Sequence, residues 1–133
     1  MDPCDIEARL RDFFAERSDV AAAYLFGSVA RGSAGPESDV DVAVLYVEAP
    51  PRTLQAVPAA LESALSALVA RPVQVVVLNR APVDLVHRVL RDGRLLSNRD
   101  ASKRIAFEVR ARNEYFDLLP FLRRYRRAEP RSA

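Results

Sequence analysis

At 133 residues, half of them hydrophobic, the chain has the length of one domain and can bury a core, yet it is small enough for a partner to add useful stability. A single cysteine, Cys4, excludes a disulfide within the chain and a thiol-held zinc; the acidic start is no signal-peptide n-region, and no apolar run nears the roughly 20 residues of a membrane span, so a cytoplasmic protein is expected. The net charge of +2 divides into −5 over residues 1–79 and +7 over 80–133, a basic C-terminal part that suits an acidic or phosphate-bearing partner, with a solvated helix face as the simpler account.

Ile6, Leu10, Phe13 and Phe14 recur at helical spacing between Asp5 and Arg17, and Pro3 stands near the start, where its missing N–H costs nothing. Val20 to Phe26 is a short apolar run of strand formers that Gly27-Ser28 ends. Val29-Ala30-Arg31 reads as a helical turn stopped by Gly32, and Ser33 to Ser38, with Gly35-Pro36, as a loop. From Asp39 to Val47 the residues alternate, with Asp39, Asp41 and Ala43 on one face and Val40, Val42 and Val44 on the other, which predicts a second strand. Pro50-Pro51 breaks it, and Leu54, Leu61, Leu65 and Leu68 predict a helix from about Arg52 to Ala70, irregular around Pro58.

Val73 to Leu78 is a third strand. Ala81-Pro82 opens a helix with Asp84 in its first turn, where the helix dipole favours an anion, and Gly93 follows its end. Arg94-Leu95-Leu96 is short and extended. Asp100 can cap a C-terminal helix from about 100 to 127, with Ile105, Val109, Phe116 and Leu119 as its apolar stripe, a kink or break at Pro120, and a frayed tail over Glu129 to Ala133. The sum is an α/β (α+β) fold, a single domain over 1–133, with a mixed sheet of about four strands flanked by helices on one side.

Chemistry concentrates in Leu25-Phe26-Gly27-Ser28-Val29-Ala30-Arg31-Gly32 and Ser38-Asp39-Val40-Asp41-Val42. Gly27 lets the backbone approach a ligand closely, and the N–H groups at the start of the following turn, with the Ser28 hydroxyl, offer an anion site for phosphate. Asp39 and Asp41 are two apart on a strand, so both carboxylates share a face and repel each other unless a cation sits between them. Such hard oxygen ligands suit Mg²⁺, which completes its coordination with waters and substrate phosphates. A phosphate cradle facing a carboxylate pair, at the sheet edge, describes a site for metal-assisted phosphoryl or nucleotidyl transfer. Gly-Ser turns and Asp-x-Asp pairs are each common on surfaces; their joint order carries the reading.

That order, Gly-Ser-x-Ala-Arg-Gly and then Ser-Asp-x-Asp, resembles the signature of the DNA polymerase beta-like nucleotidyltransferases. Nearly the whole chain looks like their minimal nucleotidyltransferase (MNT) family, through Arg71-Pro72-Val73, Val77-Leu78-Asn79-Arg80-Ala81-Pro82, Arg91-Asp92-Gly93-Arg94-Leu95-Leu96 and Tyr115-Phe116-Asp117-Leu118-Leu119-Pro120. The resemblance implies an antitoxin that pairs with a HEPN-domain toxin in a hetero-oligomer and transfers AMP from ATP to a tyrosine of that toxin. It implies that Gly27 and Ser28 hold the ATP phosphates and Asp39 and Asp41 hold Mg²⁺, with Arg31 and Gly32 also matching the motif. The family's third carboxylate, a general base or further metal ligand, falls here on Gln74, and no Asp or Glu lies between Arg71 and Pro82 to replace it. An amide cannot take a proton from a nucleophile. The departure leaves three explanations: a slow enzyme, an antitoxin that neutralises its toxin by binding, or a substituted residue. A small-molecule nucleotidyltransferase is a further alternative, against which the chain offers no obvious second domain for an acceptor.

The remaining polar residues read more plainly. His87, the only histidine, has no metal-ligand neighbours in spacing and reads as a surface residue. Asp84 and Asp92 read as helix-terminal charges. Arg123-Arg124 and Arg126-Arg127 around Tyr125 fit a cationic helix C-terminus better than direct nucleic-acid binding. Phe116, Leu119, Phe121 and Leu122 supply more apolar surface than a terminal helix needs, which favours a partner interface.

Overall fold

The computed structural model describes residues 2–32, 35, 38–51 and 56–128. The predicted loop at Ser33 to Ser38, the start of the helix proposed from Arg52, and the tail from Glu129 fall wholly or partly outside these. In chain order the elements are α1 (Pro3–Ala15), β1 (Val20–Phe26), α2 (Gly27–Arg31), β2 (Val40–Tyr46), α3 (Ala56–Val69), β3 (Val73–Val77), a 3₁₀ turn at Leu78–Arg80, α4 (Val83–Asp92), β4 (Arg94–Asn98) and α5 (Ala101–Ala128).

The four strands form one mixed sheet in the order β3-β2-β1-β4. β1 runs antiparallel to both β2 and β4, while β2 and β3 are parallel, joined by α3 as the crossover helix. The inner strands are covered on both faces. On one side Val40, Val42 and Val44 pack with Ile6, Leu10 and Phe14 of α1 and Leu61, Leu65 and Val69 of α3. On the other, Ala22, Tyr24, Phe26, Ala43 and Leu45 pack with Val86 and Val89 of α4 and Ala111 of α5. The expectation of helices on one side is therefore corrected. All seven residues of β1 are buried, and a continuously apolar strand is what a sheet sandwiched between two helix layers requires.

Local chemistry explains the element ends. Pro3 is the first residue of α1, and its missing donor is one the helix leaves unpaired anyway. Pro58 is the third described residue of α3, and the residues before Ala56 lie outside the described ones. β3 is an edge strand, and α3 satisfies its outward N–H groups: Val73 donates to Ser66 Oγ and Val75 to Glu62 Oε1, each at 2.9 Å. Strand β3 ends at Val77 because Leu78 turns into the 3₁₀ segment. There the Asn79 amide pairs with both backbone groups of Tyr46, taking the place of a further strand residue. Arg94-Leu95-Leu96 is the start of edge strand β4, which continues to Asn98.

α5 is capped by Asp100, whose Oδ1 accepts from Lys103 N at 3.1 Å. It is tied to β1 by Tyr24, whose hydroxyl donates to Glu108 Oε1 at 2.6 Å. Glu108 is also paired with Arg104 at 3.1 Å. Burial, then the hydrogen bond to this carboxylate, push the Tyr24 phenol well above its ordinary value, so it remains a neutral donor. The helix runs unbroken past Pro120. Its packed side is Phe107 and Ala111, not the predicted stripe: Ile105, Val109 and Phe116 are 51%, 50% and 64% exposed. No helix among the described residues is long and apolar enough to cross a membrane.

Candidate active site

The motif residues meet at one end of the two inner strands, where β1 leaves the sheet and β2 enters it. β1 ends at Phe26, and Gly27 starts α2 with φ +76, in the left-handed region that favours glycine. A Cβ at Gly27 would collide with Asp41 Oδ2, so only glycine lets this backbone lie against that carboxylate. α2 lasts five residues and is stopped by Gly32, itself left-handed at φ +72.

Across the sheet, Phe26 is in register with Asp41, and Asp41 with Gln74. Asp39 is exposed and precedes β2, which begins at Val40, not at Asp39. Gln74 reaches it: its Nε2 donates to Asp39 Oδ2 at 3.2 Å. The sequence thus gathers two carboxylates and one amide at a single position. Burial, and next the charge of Asp39, raise the Asp41 carboxyl above its ordinary value, with Arg31 pulling the other way. A cation between the aspartates would relieve that repulsion, so this donor set fits a divalent metal. Among the described residues no third His, Cys, Asp or Glu joins the pair.

A cleft of about 490 Å³ opens over Asp41 and Gln74 but is not lined by Asp39; its walls are Phe26, Gly27, Ser28, Arg31, Asp41 and Gln74, with Val76 and, from α4, Leu85, Arg88 and Asp92. The last three were not singled out as site residues. They lie at i, i+3 and i+7 on one helical face, a spacing visible in the sequence, but nothing local says that this face looks at the β1–β2 end. Asp92 also departs from the helix-terminal reading. It is the last residue of α4, where the dipole disfavours an anion. Arg91, bonded to it through both oxygens at 2.9 Å, holds its carboxyl below the ordinary value, helped by Arg31 and Arg88. Asp84 does sit in the first turn of α4, as read. Gly32 is in the motif but does not line the cleft. His87 is half-buried away from it, stacked on Tyr115 of α5 with centroids 3.5 Å apart. A hollow of similar size, about 530 Å³, lies at the other end of β2 and β3 between α4 and α5, and holds none of the motif residues.

A glycine turn against a carboxylate, with one cationic side chain from α2 and one from α4, is the constellation of a nucleotide-transfer site. Residues 8–102 match the family model for polymerase beta nucleotidyltransferases, and the chain belongs to that family. Solved structures share the fold over nearly its whole length. One is a toxin–antitoxin complex with AMP-PNP (24% identity, 94% of this chain and 95% of that one, TM-score 0.73). A second is an MntA–HepT toxin–antitoxin complex (22%, 93% and 92%, TM-score 0.66). A third is a tri-AMPylated HEPN toxin with its MNT antitoxin from Shewanella oneidensis (19%, 90% and 94%, TM-score 0.69). No curated protein matches the chain by sequence.

Proposed function

We propose that this chain, as a single minimal nucleotidyltransferase domain, is the antitoxin of a HEPN-domain toxin and moves AMP from ATP to a side chain of that partner in a Mg²⁺-dependent reaction. The observation that carries the reading is the fit of Gly27 against Asp41 at the floor of a cleft walled by Arg31 and Arg88. It accommodates a polyanion and a carboxylate-bound cation side by side. The complexes that share the fold, two of them described with AMP-PNP or an AMPylated HEPN toxin, support the choice of nucleotide and partner.

In this mechanism the Gly27 backbone and the Ser28 hydroxyl hold phosphate oxygens, and Arg31 and Arg88 offset their charge. Asp39 and Asp41 would hold Mg²⁺, which would supply Lewis-acid stabilisation of charge on the transferring phosphoryl group. An acceptor hydroxyl oxygen of the partner forms the new bond to the α-phosphorus, the bond to the bridging oxygen breaks, and pyrophosphate leaves. The acceptor's proton has no carboxylate at position 74 to take it, and absence of a general base costs about 10²–10⁴ in rate. Solvent receives the proton, and transfer is slow.

Gln74 also favours a second reading, an antitoxin that neutralises by binding alone. In either case the outward face of α5, with Ile105, Val109 and Phe116, is the surface we assign to the partner. The exposed thiol of Cys4 suits the reducing cytoplasm where such a pair would act. The deciding experiment is intact-mass spectrometry of the HEPN partner after incubation with this protein, ATP and Mg²⁺. A gain of one or more AMP units, absent with Asp39→Asn/Asp41→Asn, supports transfer. An unchanged mass with a stable complex on a sizing column supports neutralisation by binding. No complex and no mass change would overturn both readings and leave the small-molecule transferase.

A further inference from the structure

Two features on the α5 side of the sheet have no use in the cleft. One is the hollow of about 530 Å³ at the other end of β2 and β3, to whose wall α5 contributes Phe107, Ala111 and Glu114, together with Leu45, Leu78 and Val86 from the body. The other is the end of α5 itself. Phe107, Ala111, Glu114, Leu118, Phe121 and Tyr125 follow one another in alternating steps of four and three, so they form a single stripe along the helix. Phe107 and Ala111 pack into the core, and Tyr115, on the flank of the stripe, stacks on His87 of α4. Past Tyr115 the stripe continues, with Phe121 62% and Tyr125 65% exposed. Hollow and helix end are parts of one surface, because Glu114 lines the first and precedes Leu118 on the second.

The sequence of the stripe selects what covers it. A second copy laid parallel would set Glu114 against Glu114, carboxylate on carboxylate, and Tyr125 against Tyr125. Laid antiparallel, with Leu118 of one copy against Phe121 of the other, the same spacing sets Glu114 against Tyr125, a carboxylate against a phenol that can donate to it. That alignment also brings Asp117, on the flank of the stripe, beside Arg124 of the second copy, an opposite charge. Each of these contacts occurs twice by symmetry.

We propose that two copies of this chain pair antiparallel through the ends of α5, each seating its Tyr125 in the hollow beside Glu114 of the other. Both copies use the same patch, so the assembly closes as a dimer. Ile105, Val109 and Phe116, on the opposite side of the helix, stay turned outward for the HEPN partner. The pairing is independent of the chemistry in the cleft.

Analytical ultracentrifugation of the full chain over a concentration series should show a species of twice the chain mass of 14.8 kDa. Phe121→Ser with Tyr125→Ser should sediment as a monomer, its fold checked by circular dichroism. Asp117→Arg or Arg124→Asp alone sets like charges together at both contacts and should weaken the dimer about 10-fold. The two together exchange the charges and should restore it. Residues seven apart on one helix do not pair with each other, so that rescue reports a contact between copies. A monomer at every concentration would overturn the proposal. So would a dimer that survives Phe121→Ser/Tyr125→Ser, or charge reversals that the double variant does not rescue. A monomer whose complex with the HEPN toxin is lost in Phe121→Ser would assign the stripe to the toxin instead.

Discussion

The inner strands and the C-terminal helix represent two ways of using apolar residues in one small chain. β1 is buried along its whole length, and β2 is buried at every position except Asp41. Both strands end in a site whose floor is fixed by backbone register. α5 instead touches the body along Phe107 and Ala111 and turns Ile105, Val109 and Phe116 outward. On a helix these two sets lie on opposite sides. The strand region holds reactive groups at fixed spacing, because the sheet leaves them no freedom. The helix carries adhesive surface outward. A protein proposed to act on a macromolecular partner needs both, and here they are divided between different parts of the fold.

The strongest way to break this division is to remove the charge of the site while leaving its frame. Asp39→Asn with Asp41→Asn should abolish Mg²⁺-dependent nucleotide binding, measured by calorimetry, while leaving the fold and partner complex in place. Undiminished binding would show that the carboxylates do not hold the metal. Next in size is Gln74→Asp. Supplying a carboxylate in register with Asp41 should raise the AMP-transfer rate, with about 10²–10⁴-fold as the ceiling if the base is all that is missing. An unchanged labelling rate would argue that position 74 is not the third-carboxylate position.

A paired measurement then sharpens the contrast between frame and helix. Leu10, fully buried between α1 and the sheet, should lose about 2–5 kcal/mol of stability on Leu10→Ala by denaturant unfolding. Phe116→Ser, on the outward face, should shift stability by no more than about 0.5 kcal/mol, yet weaken the partner complex on titration. A large stability loss at Phe116 would mean that α5 packs by its other side.

The same contrast explains what could be read before the fold was known. The span of β1, the stop at Gly27-Ser28 and the alternation of Asp41 with Val40 and Val42 are local properties: a strand's period of two and a glycine turn decide them. The cover on both faces was foreshadowed by Val20-Ala21-Ala22-Ala23-Tyr24-Leu25-Phe26, a run without alternation, which one-sided burial would not produce. The face of α5 was not decidable from spacing. Ile105, Val109 and Phe116 and, opposite them, Phe107 and Ala111 both obey helical periodicity, and the choice rests on the Tyr24–Glu108 bond and the Asp100 cap, which are contacts between distant segments. That Leu85, Arg88 and Asp92 line the cleft was undecidable for the same reason: their helix face is defined by what it packs beside.

The smallest expected effect concerns what the site costs the frame. The Asp41 carboxyl is raised in the folded chain, so the fold binds that proton more tightly than the unfolded chain does. Its contribution is fully present below the unfolded value, about 3.9, and is lost as pH rises through the raised folded value. In metal-free buffer, Asp41→Asn keeps a neutral group there at every pH. The melting temperature of the variant minus that of the unaltered chain should therefore increase as pH is raised from about 4 towards neutrality. Adding Mg²⁺ with AMP-PNP should shrink the difference, because a bound cation relieves the repulsion in the unaltered chain and has no carboxylate pair to hold it in the variant. A difference flat with pH would mean that Asp41 carries no electrostatic strain in the fold. The site would then be no more costly to the sheet than the valines beside it, and the division between a strained reactive end and a relaxed adhesive helix would lose its physical basis.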